Sequence, residues 1–154
     1  SLRNSYFPFS QVEDCKAVIN KVTMEGRFYF KSAAESSYYL KVKHRNSIET
    51  WSAGVIALSR TTPASFDLAS SLSQAFGNNQ KQVDTSPVRF AIYSGDINQD
   101  GPIDASDVSD TDNDAFSSVS GYVRTDVTGD DFVDAGDVSI VDNNAFNSVS
   151  AVIP

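Results

Sequence analysis

Apolar and polar positions follow two different periods along this chain, and the change falls near residue 94. Before it, alternation with a period of two predicts β-strands, most clearly over Gly26–Lys31 and Tyr39–Arg45. Shorter runs between Ser, Thr, Asn, Gly or Pro predict further strands at 17–22, 53–58, 64–68 and 88–93. Many short strands at regular spacing favour a β-sandwich over residues 1–94.

After residue 94, apolar residues recur at three- and four-residue steps, which predicts two short amphipathic helices. The first stripe consists of Val108, Ala115, Phe116 and Val119, and the second of Val138, Val141, Ala145, Phe146 and Val149. A shift of 30 residues aligns 96–121 on 126–151 with more than half of the positions identical. We therefore expect two copies of one unit that bury their stripes against each other.

Each predicted helix follows a twelve-residue window with oxygen side chains at positions 1, 3, 5, 9 and 12. The first window supplies Asp96, Asn98, Asp100, Asp104 and Asp107, and the second supplies Asp126, Thr128, Asp130, Asp134 and Asp137. A tight loop surrounds a hard divalent cation with this spacing, and Ca²⁺ is the usual ion. Because the pattern is repeated in register, a metal site explains it better than a solvated acidic surface. We expect two Ca²⁺ ions.

The run Gly95–Gly101 resembles the opening motif of the dockerin family, the paired calcium-loop modules of bacterial cellulosomes and secreted proteins. The resemblance implies a small α-helical domain over residues 95–154. It also implies that the backbone carbonyls of Pro102 and Phe132 complete the two sites, and that Asp104 binds directly or through water. Two departures, Thr128 at position 3 and Asp131 at position 6, predict a looser second site.

The N-terminal half carries a second resemblance. Gly26-x-Phe28-x-Phe30, followed by Tyr38-x-Leu40-x-Val42, is similar to the transthyretin-like or carboxypeptidase-regulatory sandwich, a non-catalytic accessory fold. The stretch 43–52 looks like a motif of bacterial surface and secreted proteins that precedes a dockerin-like repeat. The expected fold class is therefore mainly β, with an Ig/transthyretin-like sandwich (1–94) followed by a dockerin-like helical domain (95–154).

The distribution of charged residues also divides the chain near residue 95. Residues 96–154 contain 13 Asp and one basic residue, for a net charge of −12, whereas residues 1–95 carry a net +4. The aspartates would repel one another without metal, so folding of this half should be coupled to calcium binding. The acidic balance argues against nucleic acid as a partner. No apolar run approaches the ~20 residues that would span a bilayer.

Candidates for catalysis are few. The chain has one His and one Cys, and His44 lies in an alternating strand, where we interpret it as packed or hydrogen-bonded. No nucleophile–base pair is evident, so we expect no enzyme. Trp51 with Tyr29, Tyr38 and Tyr39 would form either a sugar-stacking platform or part of the hydrophobic core. Aromatic residues at strand spacing are more often part of the core.

Three functions remain from the sequence. The first is a calcium-stabilised extracellular structural protein that self-assembles head to tail, as a filament or surface layer, with residues 1–12 or an open sheet edge providing strand addition. The second is an anchoring module for a cohesin-like or surface receptor, although the helices lack the Lys-Arg pair typical of cohesin-binding dockerins. The third is a carbohydrate-binding module.

The calcium loops favour a secreted or cell-surface location, and the start at Ser suggests a processed or excised form. The Ser- and Thr-rich surface leaves O-linked glycans open.

Overall fold

The computed structural model describes all residues from Ser1 to Pro154. Its strands are β1 (Leu2–Arg3), β2 (Gln11–Glu13), β3 (Ser37–Val42), β4 (Thr50–Trp51), β5 (Ile56–Ala57), β6 (Lys81–Thr85) and β7 (Val88–Ala91). Its α-helices are α1 (Ala105–Phe116) and α2 (Ala135–Phe146), and 3₁₀ turns occupy Leu72–Gln74 and Phe76–Asn78. Neither helix has the length and apolar character that crossing a membrane requires.

β3 is the centre of the first sheet. The sheet has the order β2-β1-β3-β4, β5 also pairs with β3, and every pairing is antiparallel. Leu2 faces Leu40 across the β1–β3 ladder, and Leu2, Ala33 and Tyr38 form a small buried core beneath it. The segment considered as a donor arm, 1–12, thus contributes an inner strand of this sheet, and β2 forms an edge.

The predicted fold class is wrong. Residues 1–94 form two small antiparallel sheets, the five-stranded one and the β6–β7 hairpin, and not a sandwich. All five residues of β6 are exposed, and no residue of the hairpin belongs to either buried apolar cluster. The helical half also does not form the predicted dockerin-like domain with a core of its own, because Ile48 from the N-terminal half lies in that core.

The strand predicted at Gly26–Lys31 does not form. The backbone N–H groups of Lys31, Ser32 and Ala33 all donate to the Glu13 carboxylate, over 2.8, 2.9 and 2.7 Å. These donors are therefore engaged by a side chain instead of a neighbouring strand, and alternation alone supplies no ladder partner. The strands predicted at 17–22 and 64–68 are also absent, while those at 53–58 and 88–93 shorten to β5 and β7.

A second core joins the two halves of the chain. Ile48 is fully buried against Ile97, Ile103 and Val141, which belong to the first loop and to α2. The N–H of Ile48 donates to the carbonyl of Tyr93 over 3.1 Å, which fixes its backbone beside the start of the helical half. The domain boundary at residue 94 stays a prediction, but segment 43–52 packs against the residues that follow it.

Candidate metal centres

Both helices begin as the repeat predicts. Asp104 and Asp134 are the N-cap residues of α1 and α2, and each completes a capping box with the aspartate three residues later, Asp107 or Asp137. Hydrogen bonds from the hydroxyl and N–H of Ser106 hold the pKa of Asp104 below its usual range. The residues at position 9 of the loops therefore already have a structural role in starting the helices.

The last aspartate of each window reaches back to the beginning of its own loop. Oδ1 of Asp107 accepts the N–H groups of Ile97 (2.7 Å) and Asn98 (3.1 Å). Asp137 repeats this contact with Val127 (2.8 Å) and Thr128 (2.9 Å). Both carboxylates are fully buried. Their bonds tie the last residue of each loop to the second and third residues of the same loop.

The first aspartate of the first loop has weak support from the protein. Asp96 is fully buried, and neither of its carboxylate oxygens makes a well-formed hydrogen bond. The backbone N–H groups of Gly101 and Gln99 and the charge of Lys43 lie near enough to favour its ionised form, but burial outweighs them. Burial raises the pKa of Asp96. An ionised carboxylate in this position is costly unless a cation compensates its charge. The donor chemistry at loop one therefore fits a hard cation, and Asp96 is the residue that most requires one.

The equivalent aspartate of the second loop is satisfied by the protein. Oδ1 of Asp126 accepts the N–H groups of Gly129 (2.7 Å) and Asp130 (3.3 Å), and Oδ2 lies 3.4 Å from an Arg45 nitrogen. The hydroxyl of Thr128 also donates to Oδ1 over 3.4 Å. The two loops share a sequence pattern but differ in the electrostatics of their first residue.

The remaining predicted ligands lie at the rim. Asn98, Asp100, Thr128 and Asp130 have exposed side chains, as do the caps Asp104 and Asp134. The Asn98 side chain bonds within its loop, donating to Asp100 Oδ2 (3.1 Å) and Ser106 Oγ (3.0 Å). No three carboxylate, imidazole or thiol groups come together closely enough to hold a metal ion in this structure. Positions 1 and 12 are thus central in each loop, and positions 3, 5 and 9 are peripheral.

The residue at position 8 of each loop donates a backbone hydrogen bond to the other unit. The N–H of Ile103 donates to the carbonyl of Val149 (2.8 Å), and the N–H of Val133 donates to that of Val119 (3.0 Å). Pro102 and Phe132, at position 7, form isolated bridges beside these bonds, and no N–H group donates to either carbonyl. Both carbonyls remain open for the ligand role that the resemblance implies.

Position 6 has the backbone geometry that the pattern requires. Gly101 has φ = 109°, and Asp131 has φ = 71°. A left-handed conformation is strained for a residue with a Cβ, although Asp tolerates it better than most. Position 4 shows the reverse arrangement, with Gln99 at φ = 68° in the first loop and Gly129 at φ = 80° in the second. Each loop therefore holds one left-handed residue with a Cβ, and this strain does not rank the two loops.

Stretch 43–52, which the sequence distinguishes only by resemblance, contacts both loops. Asn46 donates to the carbonyl of Asp126 (2.9 Å), and the Gln99 side chain donates to the carbonyl of Ser47 (3.2 Å). His44 lies beside them, with Nδ1 2.9 Å from Asn46 Oδ1. These partners are some 50 to 80 residues apart in sequence, so no local pattern could have revealed them.

Comparison with protein-family models, with curated proteins and with solved structures finds no match for this chain.

Proposed function

We propose that loops 96–107 and 126–137 each bind one Ca²⁺ ion and that the protein is a non-catalytic structural protein of the cell exterior. The observation that carries the metal assignment is Asp96, a buried carboxylate with two unpartnered oxygens at position 1 of a repeated oxygen-rich loop. The first ion would be held by Asp96, Asn98, Asp100, the Pro102 carbonyl, Asp104 and Asp107. The second would be held by Asp126, Thr128, Asp130, the Phe132 carbonyl, Asp134 and Asp137.

The choice of calcium follows from the donors. Every proposed ligand is a carboxylate, amide, hydroxyl or carbonyl oxygen, and hard cations prefer such ligands over the nitrogen and sulfur that zinc favours. The ions would supply positive charge to a half of the chain that holds 13 Asp and one Arg. Extracellular calcium is concentrated enough to fill loops of modest affinity, which supports a secreted or surface location.

The surface of the N-terminal half supports self-assembly. Several large apolar side chains are exposed there: Tyr6, Phe7, Val18, Val22, Met24 and Tyr29. These side chains would supply the apolar part of a contact with a second copy. This half carries net +4 and the other half net −12, so the complementary partner is the acidic half of a second copy. β2, an edge of the first sheet, is where a strand from that copy would add.

An anchoring role is the second candidate. Phe116 and Phe146 occupy equivalent places at the ends of the two helices and are 92% and 87% exposed. Such a pair favours a protein partner on the helical half. A sugar platform has less support, because Trp51 is buried and packs edge-on against Phe9 and Tyr39.

Calorimetric titration with calcium tests the metal assignment. We expect two ions per chain, falling to one in Asp107→Ala and in Asp137→Ala, because each substitution removes one loop's closing carboxylate. Asp107→Ala should cost more calcium affinity than Asp137→Ala, since the Asp96 carboxylate of loop one makes no well-formed hydrogen bond to the protein and depends most on the ion. A wild-type chain that takes up no calcium would refute the proposal, and equal losses would contradict the ranking.

Light scattering at millimolar Ca²⁺, and again with excess chelator, tests self-assembly. We expect large species in calcium that dissociate on chelation. Val22→Asp should reduce their size because it places a charge on an 84% exposed apolar residue of the proposed contact. Thr62→Asp adds the same charge at an exposed polar site and should behave as wild type. A monomer in calcium would instead favour the anchoring role.

A further inference from the structure

Segment 43–48 lies against both loops. On the first loop, Lys43 Nζ approaches the carbonyl of Gln99 (3.5 Å), and the carbonyl of Ser47 accepts from the Gln99 side chain. On the second loop, Arg45 and Asn46 both contact Asp126. Because β3 ends at Val42, this short segment connects the first sheet directly to both proposed metal loops.

Arg45 makes the most extensive of these contacts. Nε donates to the carbonyl of Val123 (2.9 Å), and Nη2 donates to the carbonyl of Asp126 (3.0 Å) and to its Oδ2 (3.4 Å). The guanidinium stacks on the Tyr122 ring, 3.8 Å from its centroid. The Asp126 side chain is only 2% exposed. Arg45 therefore places a fixed positive charge beside the first ligand of loop two.

Loop one has no ion pair at its first ligand. Lys43 Nζ donates to the carbonyl of Gln99 and acts on Asp96 only as a nearby charge. The Asp96 oxygens make no well-formed hydrogen bond. The repeat thus presents the same ligand pattern in two electrostatic settings: the position-1 carboxylate of loop two is ion-paired with Arg45, and that of loop one is not.

We infer that Arg45 is a positioning residue that competes with the metal ion for Asp126, lowers the calcium affinity of loop two and couples that loop to the first sheet. The inference rests on the proposed calcium function. When an ion binds, Arg45 gives up its contact with Asp126 Oδ2 and keeps its contacts with the two carbonyls. Loop one fills first, and filling of loop two alters the segment that leads to β3.

The test is calcium calorimetry on Asp107→Ala chains, in which loop two is read alone. Adding Arg45→Gln should tighten loop two by about tenfold, because two positive charges no longer share one carboxylate at short range. Arg89→Gln removes the same charge from the exposed β6–β7 hairpin and should leave the affinity unchanged. Arg45→Lys keeps the charge but loses the planar fork and the stacking on Tyr122 that hold it beside Asp126, so it should tighten loop two by less than Arg45→Gln does.

A second readout needs no bound metal. In chelator, Arg45→Gln should lower the unfolding midpoint, because Asp126 loses its cation, and added calcium should raise that midpoint more than it raises the wild-type one. If Arg45→Gln weakens loop two, Arg45 is only a tether and the inference is overturned. An unchanged affinity overturns it as well. A wild-type chain that binds no calcium removes the proposed function and the inference together.

Discussion

The Asp96→Asn substitution is expected to stabilise the chain in chelator and to destabilise it in calcium. Without metal, the wild-type carboxylate is buried with both oxygens unpartnered. Replacing its charge with a neutral amide should therefore gain about 1–2 kcal/mol in the free energy of unfolding. In calcium the sign reverses, because the variant forfeits ion binding worth about 2.7 kcal/mol when calcium is present at 100 times the dissociation constant. Thermal unfolding followed by circular dichroism measures both conditions.

Asp126→Asn is the matched control for this result. It makes the same chemical change at the same loop position, but Asp126 accepts backbone N–H groups and contacts Arg45. Removing its charge should therefore destabilise the chain with and without calcium. A lower unfolding midpoint of Asp96→Asn in chelator would contradict this prediction, because the Asp96 carboxylate would then be adequately compensated in the metal-free protein.

Ile48→Ala should destabilise both halves of the chain at once. Ile48 is fully buried against residues of the first loop and α2 although it belongs to the N-terminal half. Deleting a side chain of this size from a packed core costs about 2–5 kcal/mol. Because that core spans the two halves, the helices and the first sheet should lose stability together.

Two probes report on this coupling. Far-ultraviolet circular dichroism follows α1 and α2, and fluorescence of Trp51, the single Trp, follows β4 in the first sheet. We expect both midpoints to fall by the same amount in Ile48→Ala. Ile153→Ala, at a residue that is 56% exposed, should leave both nearly unchanged. Unfolding of the helices with no shift of the Trp51 signal would show that the halves are independent units.

The two helices could be predicted from sequence because the signals that start them are local. The caps Asp104 and Asp134 bond to N–H groups two residues away, and the helices begin directly after them. The apolar steps and the 30-residue repeat indicate the helices over the same short range, but the expectation that the whole stripes are buried is wrong, because Phe116 and Phe146 are 92% and 87% exposed. What could not be predicted is that Ile48 completes the core of this half.

The N-terminal half shows the opposite case. Alternation predicts strands wherever it occurs, but a strand forms only where another strand supplies ladder partners. β3 pairs with β1, β4 and β5. In the run 26–31, the N–H of Lys31 donates to the Glu13 carboxylate instead of a neighbouring strand. The predicted sandwich is wrong because alternation shows which runs could be strands but does not show which of them pair with one another.

The sequence alone determined the two oxygen-rich loops, the helices that follow them and the opposite charges of the two halves, because each depends on residues close together in the chain or on composition. Tertiary structure alone decided which position-1 aspartate is left without a partner. Arg45 contacts Asp126 across 81 residues, whereas Lys43 acts on Asp96 only as a nearby charge and forms no ion pair with it. Contacts over such a distance depend on how the whole chain packs, so two nearly identical loops acquire different electrostatics.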